Sequence, residues 1–340
     1  MRNAGTRIRR LDGYAPRCVN SAHVVTRIAA PGARSAPRDS VNQPRGRAWL
    51  VGITLCLAAA TAAVAAAQTA SNPGKSFLWK VQSGSKLLYL AGSVHALSAD
   101  VYPLSPAFDR AFDASATLVE EIDLAEAESL AIAPAILAKG MYVDGRRFDN
   151  IVSKETAALV AARLKDSGLP VEMFQVMKPW MVMLTIAALD AQKAGLDPNL
   201  GLDKHFYDRA KAAGKTVVGL ETAESQIDRL DTMSDSLQEQ LLRSSLSEAE
   251  TVRNDLKTIV AAWRRGDRAA LEKTLLSDFT EYPAAYRSLI VERNQNWIPQ
   301  IDACFARPQP CLVVVGAAHL IGPDGLLTLL QRKGYRIEQQ

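Results

Sequence analysis

Two short stretches of the chain each place a histidine just after an apolar run. Residues 87–97 read LLYLAGSVHAL and residues 311–320 read CLVVVGAAHL, so in both a Gly, two short uncharged residues and a His follow the run. We call this pattern the GxxH motif. Neutral imidazole is a common metal ligand and the usual general base near neutral pH. His95 and His319 are therefore the first candidates for a site that does chemistry.

Two other apolar runs end in a carboxylate. ATLVEE ends at Glu121 and TVVGLE ends at Glu221. An unpaired carboxylate at a buried strand end is costly, so a cation, a metal or a proton must compensate it. A surface or helix-capping acid is the alternative. Glu120 alternates with Glu121 along the strand, and we therefore expect only one of the two to face the site.

Arg293 is the candidate cation for these acids. It repeats at a spacing of four with Leu289 and Trp297, on the expected apolar face of a helix. Such a guanidinium either reaches past the apolar face to solvent, pairs with Glu221 or Glu121, or holds a substrate carboxylate through two hydrogen bonds. The spacing leaves all three open.

Two chemistries fit these residue types. A divalent Zn, Mn or Co ion bound by His95, Glu121 and His319 would acidify its bound water into a nucleophile. Without a metal, one His would act as general base for water, a Glu would orient it, and Arg293 would stabilise the oxyanion. The zincin (HExxH), serine-hydrolase (GxSxG) and P-loop motifs are absent from the sequence, which disfavours those classes.

The elements that carry these residues alternate between strands and helices. A hairpin of FLWKV, a Ser-Gly-Ser turn and LLYLAG places the first GxxH motif on its second strand. A helix over residues 203–213 leads into TVVGLE as a right-handed crossover unit, and His205 on this helix is expected to be solvated or capping. Ligands of open α/β sheets bind beyond the carboxyl ends of the strands, which is where the candidate residues lie.

The rest of the chain has helical patterns. Apolar spacing, Pro starts and Gly stops predict helices over residues 107–114, 124–139, 153–167, 179–193, 234–244, 247–265, 268–276, 284–305 and 326–333, with a last strand at YRIE. In the helix at 179–193 the expected core-facing residues are Met181, Leu184, Ala188 and Leu189. We predict an α/β fold with α+β character, in which a central mixed sheet is built from two related halves, each with a strand and a GxxH motif, and is flanked by many helices.

Charge is unevenly distributed along the chain. The formal net charge is +4, but the first 67 residues hold ten Arg, no Lys and two Asp, which leaves 30 basic and 34 acidic residues in the rest. Without a surface of clustered Lys and Arg, the body is not expected to bind nucleic acid.

The order of segments near the N-terminus is typical of an exported protein. Arg45 and Arg47 precede an apolar stretch that ends in three Ala, as in a secretory signal cleaved near Ala67. A retained membrane anchor is the alternative. Residues 1–44 are Arg-rich and too polar to fold, and we expect them to be disordered or to precede a true start near Val41. The predicted domains are an extension (1–44), a signal peptide (45–67) and one domain (68–340) with halves of about 77–200 and 201–340.

Two cysteines remain after such a cleavage. Cys304 and Cys311 are separated by FARPQP. In an exported protein, a pair that closes a short Pro-rich loop is typical of a disulfide. Two independent buried thiols are the alternative.

Several stretches together resemble the TraB/PrgY/GumN family, close to its bacterial GumN-like members. The resemblance covers the chain from about Phe77 to the C-terminus and is carried by LYLAGSVHAL, TLVEEIDL, KPW, GLDKHF, VVGLETAESQ, VERNQNW and VVVGAAHLIGPDGLLTLLQRKGYRI. It implies an α/β fold related to the erythromycin-esterase and Tiki group. It also implies a site formed by His95, Glu121, Glu221, Arg293 and His319.

The resemblance further implies two kinds of activity. The Tiki relatives are described as metal-dependent peptidases that use Mn or Co, whereas the PrgY branch is associated with limiting a peptide pheromone. We therefore expect an exported hydrolase, periplasmic or secreted, that uses a divalent metal to cut a peptide or amide bond in a peptide or small-molecule substrate. The alternatives are a metal-independent His-based esterase and a protein that binds and sequesters a peptide or metal without turnover. A membrane is expected to be a partner only through an uncleaved signal segment.

Overall fold

A computed structural model describes residues 74–340 apart from 128–131, 247–248, 278 and 280. The predicted extension, signal peptide and cleavage site near Ala67 lie outside the described residues. None of the helices within them combines the length and the apolar character that crossing a membrane requires.

A mixed sheet of six strands lies at the centre of the described chain. The strands are β1 (Leu78–Ser83), β2 (Lys86–Ser93), β3 (Thr117–Glu120), β4 (Thr216–Gly219), β5 (Cys311–Gly316) and β6 (Arg336–Gln339). Their order is β4-β3-β5-β2-β1-β6. Every residue of β5 is buried, as expected of an apolar strand that is covered on both faces. The predicted α/β fold with a central mixed sheet is confirmed.

The four strands that carry the candidate residues run parallel. β5 pairs in parallel with β2 on one side and β3 on the other, and β3 pairs in parallel with β4. In register, Ser93 lies opposite Gly316 and Glu120 lies opposite Val314. Because parallel strands end at the same edge of a sheet, both GxxH motifs and both strand-end acids meet there.

Helices flank this sheet. Their bounds are α1 (Pro106–Ala114), α2 (Leu124–Ala127), α3 (Ile132–Gly140), α4 (Phe148–Ile151), α5 (Lys154–Asp166), α6 (Pro179–Lys193), α7 (Leu202–Ala212), α8 (Ala223–Asp231), α9 (Asp235–Ser245), α10 (Ala249–Arg264), α11 (Arg268–Leu276), α12 (Pro283–Tyr286), α13 (Glu292–Ala303) and α14 (Leu326–Arg332).

The main departure from the predicted helices lies in the segment expected as one helix over 284–305. It divides into α12, a π-helical turn over Arg287–Val291, and α13. A π turn inside a helix is frequently found at functional sites. Here it directly precedes α13, whose second residue is Arg293. The carbonyl of Leu289 within the turn accepts a hydrogen bond from the Arg293 Nη1 atom.

Helix α8 was not predicted from the sequence. Its N-terminus is capped by Thr222, whose Oγ1 accepts a hydrogen bond from the backbone N–H of Ser225 at 3.1 Å. A Thr followed by a polar, acidic run is typical of a helix start. Thr222 and Glu224 therefore indicated this helix in the sequence.

The predicted core-facing stripe of α6 was wrong in its phase. The buried residues of this helix are Pro179, Trp180, Val182, Ile186 and Asp190, whereas the Leu184 side chain is 41% exposed. The helix is apolar on nearly every side, so spacing along the sequence is compatible with more than one buried face.

The predicted disulfide joins Cys304 to Cys311, with their Cα atoms 5.9 Å apart. Cys304 directly follows α13 and Cys311 begins β5. The bond therefore ties the helix that carries Arg293 to the strand that leads to His319.

Candidate functional site

Three of the predicted residues surround one point above Gly316. A Cβ placed on this glycine would lie 3.1 Å from Glu121 Oε1, 3.3 Å from His95 Nε2 and 3.6 Å from His319 Cδ2. The two histidines and the acid thus come together at the carboxyl edge of the sheet, although more than two hundred residues separate the GxxH motifs. Glycine leaves room between these side chains, because an added Cβ would be in tight contact with Glu121 and His95.

The tautomer of His319 follows from its neighbour Asn294. The Asn294 Nδ2 atom donates to the carbonyls of His319 and Asp324 at 3.1 and 2.8 Å, so its Oδ1 is the acceptor that faces the ring. His319 Nδ1 lies 2.8 Å from that oxygen and must donate to it. Its Nε2 is then an acceptor, and it receives a hydrogen bond from Arg293 Nη1 at 2.9 Å.

His319 is therefore a neutral imidazole with both ring nitrogens engaged. Burial disfavours its charged form and lowers its pKa to about 3, against the attraction of Glu121. A ring that is already bonded on both sides is not available as a general base. The structure gives His319 the role of a buried acceptor that holds Arg293.

Arg293 pairs with both strand-end acids. Its Nε atom donates to Glu221 Oε1 at 2.8 Å, and its Nη2 lies 2.5 Å from Glu121 Oε2 and 2.6 Å from Glu221 Oε1. Burial alone would raise the pKa of Glu121, but the surrounding imidazoles and the guanidinium outweigh it and lower this pKa to about 2. Glu121 is thereby held as a carboxylate. The contacts of Arg293 with Glu121 and Glu221 are those of the pairing alternative.

The oxyanion-stabilising role expected of Arg293 does not fit this arrangement. A guanidinium has five N–H donors, and those of Arg293 are engaged by Glu121, Glu221, His319 and the carbonyl of Leu289. With no donor left for a substrate oxygen, Arg293 is a positioning residue.

Gln226 completes this network and was missed by the sequence analysis. Its Nε2 atom donates to Glu121 Oε2 at 3.0 Å and to Glu221 Oε1 at 2.9 Å. It lies on α8, the helix that was not predicted. The signal was the SQ that follows VVGLETAE within a stretch already identified as part of the family resemblance.

His95 is the imidazole that remains free to react. Its side chain is 61% exposed, and its Nδ1 lies 3.2 Å from Asp203 Oδ2. Asp203 is held in turn by Ser93, whose Oγ donates to Asp203 Oδ1 at 2.9 Å. Desolvation opposes the charge on His95, but the hydrogen bond and charge of Asp203, together with Glu121, raise its pKa to about 9.

Asp203 was the second residue missed. Its signal was the GLDKHF stretch, which contains both Asp203 and His205. A Cβ on Gly201 would collide with the carbonyl oxygen of His95, so this glycine allows the start of α7 to approach the His95 loop closely. His205 lies outside the cleft, with its ring 5.1 Å from that of Tyr102.

Both members of the Glu120–Glu121 pair line the cleft, contrary to the expectation that only one would face it. They border a cavity of about 210 Å³ together with His95, Asp203 and Gln226. Glu120 is 2% exposed, and within the described part of the chain neither carboxyl oxygen has a hydrogen-bond partner. Burial, followed by the charge of Asp203, raises the pKa of Glu120 to about 9.

A larger open hollow of about 790 Å³ lies elsewhere on the molecule, between α11 and α12. It is lined by none of the predicted site residues. Volume alone therefore does not identify the functional cleft, whereas the convergence of the polar side chains does.

The donors around Gly316 do not fit a divalent ion as they are arranged. Among the described residues, no group of three or more His, Cys, Asp or Glu is placed to hold a metal. The lone pair of His319 Nε2 is used by Arg293, and a fixed guanidinium would repel a cation at the same place. The predicted ligand set of His95, Glu121 and His319 comes close together without forming a metal-binding geometry.

The residues that form the cleft lie within the region that is similar to known proteins. A model of the TraB/PrgY/gumN family matches residues 77–339. The uncharacterized protein YbaP of Escherichia coli (strain K12) is 26% identical over 249 residues, which are 73% of this chain and 89% of that protein. The uncharacterized protein YbaP of Shigella flexneri matches with the same identity and coverage. No solved structure matches the chain significantly.

Proposed function

The chain belongs to the TraB/PrgY/gumN family, and from the cleft at the edge of its sheet we propose that it is a hydrolase of peptide or amide bonds. The observation that carries this proposal is that His95 Nε2 and Glu121 Oε1 meet beside Gly316, where they lie 3.3 and 3.1 Å from the position that a Cβ on this glycine would take. A water molecule held between these two atoms would contact a base and a carboxylate at once.

In the proposed reaction His95 is the general base. Its Nδ1–H donates to Asp203, which orients the ring and leaves Nε2 facing the point above Gly316. Nε2 takes a proton from water as the water oxygen attacks the carbonyl carbon. The same proton then passes from Nε2 to the leaving nitrogen as the carbon–nitrogen bond breaks, which regenerates neutral His95.

Glu121 orients the water in this proposal. Its Oε1 accepts a hydrogen bond from the backbone N–H of Gly316 at 2.7 Å, so the carboxylate cannot rotate away. Arg293 and Gln226 hold its other oxygen. A rigidly held acceptor lowers the entropic cost of placing the nucleophile.

A metal-dependent form of the same hydrolysis is the second candidate. It is favoured by the two donors beside Gly316, His95 Nε2 and Glu121 Oε1. It is also favoured by the use of Mn or Co that the family resemblance implies for Tiki peptidases. It requires Arg293 to release His319, and we therefore derive no step through Mn, Co or Zn. Binding of a peptide without turnover is the third candidate, for which the same cleft would serve.

One assay separates the three candidates. The purified protein and its His95→Ala variant are incubated with a fluorogenic peptide library in a chelator, and again with added Mn, Co or Zn. If the protein cleaves peptides in chelator and His95→Ala abolishes this cleavage, the metal-free hydrolase is supported. If cleavage requires an added ion, the metal-dependent hydrolase is supported. If neither condition gives turnover while the two proteins differ in peptide affinity, the hydrolase proposal is wrong and the binding protein is supported.

We further propose that the mature protein is exported to the periplasm or secreted. The basic, apolar and small-residue order of residues 45–67 and the Cys304–Cys311 disulfide both support an oxidising compartment. N-terminal sequencing of the mature protein tests this proposal, with a start near Gln68 as the expected result.

A further inference from the structure

Strand β6 (Arg336–Gln339) lies at one edge of the sheet. It pairs with β1 along one side, with Arg336 opposite Gln82 and Glu338 opposite Lys80. Among the described strands, none pairs with its outer side. An edge strand presents a row of unpaired N–H and C=O groups, which is a template for pairing with another strand. The outer side of β6 therefore has the form of a docking site for a further strand.

The hydrogen bonds of β6 show which of its backbone groups point outward. The N–H of Gln340 donates to the carbonyl of Leu78 on the β1 side at 2.9 Å, and bonding toward one neighbour alternates along an antiparallel strand. Every second residue back from Gln340 therefore bonds to β1, whereas the N–H and C=O groups of Ile337 and Gln339 point away from it. Within the described part of the chain, these outward groups have no hydrogen-bond partner.

The outer face of β6 carries one positive and one negative side chain. Arg336 and Glu338 are two residues apart, so they lie on the same face of the strand, and both are exposed. Neither forms an ion pair with another described residue, although Lys80 lies opposite Glu338 on β1. Charges on an edge strand commonly prevent pairing with another strand, so their arrangement decides what this edge accepts.

Two copies of β6 match each other's charges when they pair antiparallel about Ile337. The two-fold axis then places Arg336 of each copy opposite Glu338 of the other, and opposite charges that face each other across two strands are stabilising. A shift by one residue would place Glu338 opposite Glu338 or Arg336 opposite Arg336, and like charges there are destabilising. The charges therefore select a single register.

The same register satisfies the outward backbone groups of Ile337. In an antiparallel hydrogen-bonded pair, each residue donates its N–H to the carbonyl of the residue opposite, so Ile337 of each copy both donates to and accepts from Ile337 of the other. The Ile337 side chain is partly buried and packs against the main hydrophobic core. The two isoleucines would lie directly opposite each other and extend that apolar contact into the second copy.

We propose that the protein forms a two-fold symmetric dimer through β6, with a second copy of the chain as the partner. The sheet then continues from one copy into the other, and β4, the strand at the far edge, stays outside the contact. Because the surface meets a copy of itself, association stops at two chains. The dimer does not depend on the proposed hydrolysis, since none of its residues lines the cleft.

Sedimentation velocity of the full chain over a range of concentrations measures this association. We expect a monomer–dimer equilibrium. Arg336→Glu and Glu338→Arg should each weaken the dimer by about 10-fold or more, because each change places like charges opposite each other twice. The double variant Arg336→Glu/Glu338→Arg exchanges the charges, and its dissociation constant should return to within about 3-fold of the wild-type value.

Arg332→Glu is the matched control for the change in net charge. Arg332 is exposed at the end of α14, outside the edge strand. The same reversal of charge at this position should leave the dissociation constant of the dimer unchanged. Circular dichroism checks that each of these surface variants keeps the wild-type fold.

Disulfide crosslinking tests the register. In the proposed pair, position 336 of one copy and position 338 of the other form a non-hydrogen-bonded pair with Cα atoms about 4.5 Å apart, which a disulfide can bridge. The same position in the two copies lies diagonally, about 7–8 Å apart. A mixture of Arg336→Cys and Glu338→Cys proteins, oxidised with glutathione disulfide, should therefore crosslink, whereas neither variant should crosslink with itself. Wild type treated in the same way shows any crosslink through its own cysteines.

The proposal is overturned if the protein sediments as a monomer up to about 100 µM, or if it forms oligomers larger than a dimer. It is equally overturned if the single charge variants dimerise as the wild type does, or if the double exchange does not recover a dimer that the single variants weaken. Crosslinking of either cysteine variant with itself in preference to the other would show that the strands do not pair about Ile337.

Discussion

Arg293 donates a hydrogen bond through Nη1 to Nε2 of His319 over 2.9 Å, so the second GxxH histidine uses the lone pair of this nitrogen to hold a guanidinium. Nδ1 keeps its hydrogen and donates it in a hydrogen bond to Asn294 Oδ1, and Nε2 carries no proton because it accepts from Arg293, so the ring is neutral. The two histidines of the repeated motif therefore have different roles. His95 lies at the mouth of the cleft and His319 lies beneath it.

Arg293→Ala should strongly destabilise the protein. The change leaves the buried carboxylates of Glu121 and Glu221 without their cation, and breaking a buried pair in this way costs about 3 to 5 kcal/mol. Urea unfolding of both proteins measures the difference in free energy of unfolding.

Arg264→Ala is the control for this measurement. Arg264 pairs with Asp100 at the surface, and both side chains are largely exposed, so the change should cost less than about 1 kcal/mol. Combining Arg293→Met with Glu121→Gln and Glu221→Gln should restore much of the stability without restoring activity. An Arg293→Ala protein as stable as the wild type would show that the network does not stabilise the fold.

Gly316→Ala should remove activity while the protein still folds. The added Cβ would lie 3.1 Å from Glu121 Oε1 and 3.3 Å from His95 Nε2, so its methyl group would crowd out the attacking water that we propose these two atoms hold. We expect turnover of the peptide substrate to fall by about 100-fold or more, with circular dichroism unchanged. Gly74→Ala, which has nothing within 4 Å of its added Cβ, should retain full activity.

The pH dependence of turnover should report the His95–Asp203 pair. His95 acts as a base only when it is neutral, and its pKa is raised to about 9, so kcat/KM should rise with pH from 6 towards 9. Asp203→Asn removes the group that raises this pKa, and the rise should move to lower pH by about one unit or more. The maximal rate should fall by about 100-fold, because the ring loses its orienting acceptor.

NMR titration of the His95 ring measures the same shift without turnover. If the ring titrates near pH 6.5 in both proteins, the Asp203 carboxylate does not control it. The assignment of His95 as the base would then lose its electrostatic support.

Glu120→Gln should change how stability depends on pH. The pKa of Glu120 is raised to about 9 in the folded protein, whereas an unfolded chain releases this proton near pH 4.5. Between these values the folded state binds the extra proton, so stability of the wild type falls as pH rises. The variant lacks this effect, and its stability relative to wild type should increase by up to about 1.4 kcal/mol per pH unit from pH 5.5 to 8.

Urea unfolding at several pH values gives this slope directly. A difference between the two proteins that does not change with pH would mean that Glu120 is already ionised in the folded state. In that case an unidentified cation would have to accompany it.

The main elements of the fold could be predicted from the sequence. The apolar runs before each GxxH motif form β2 and β5, and each strand ends close to its motif. Because parallel strands end at the same edge of a sheet, the meeting of the two motifs at that edge followed from the general rule for ligand sites in α/β sheets. The disulfide followed in the same way from a close cysteine pair. Each of these rests on residues that are neighbours in the chain.

The roles of the site residues could not be predicted in this way. His95 is paired with Asp203, 108 residues away, and Arg293 binds Glu121, 172 residues away. Even the buried face of α6 required its neighbours to be known, since an apolar helix has several faces that could be buried. In each case the sequence showed which groups were available and the tertiary structure decided which group met which.

The sequence by itself determined the strands, their end points and the kinds of side chain at the cleft, because backbone pattern and hydrophobic spacing act over a few residues. Only the tertiary structure decided that Arg293 donates to Nε2 of His319 and that Asp203 accepts a hydrogen bond from Nδ1 of His95. It also decided that Glu120 has no hydrogen-bond partner among the described residues. Hydrogen bonds and ion pairs depend on separations of a few ångströms and on burial, and neither quantity exists until distant parts of the chain have packed together.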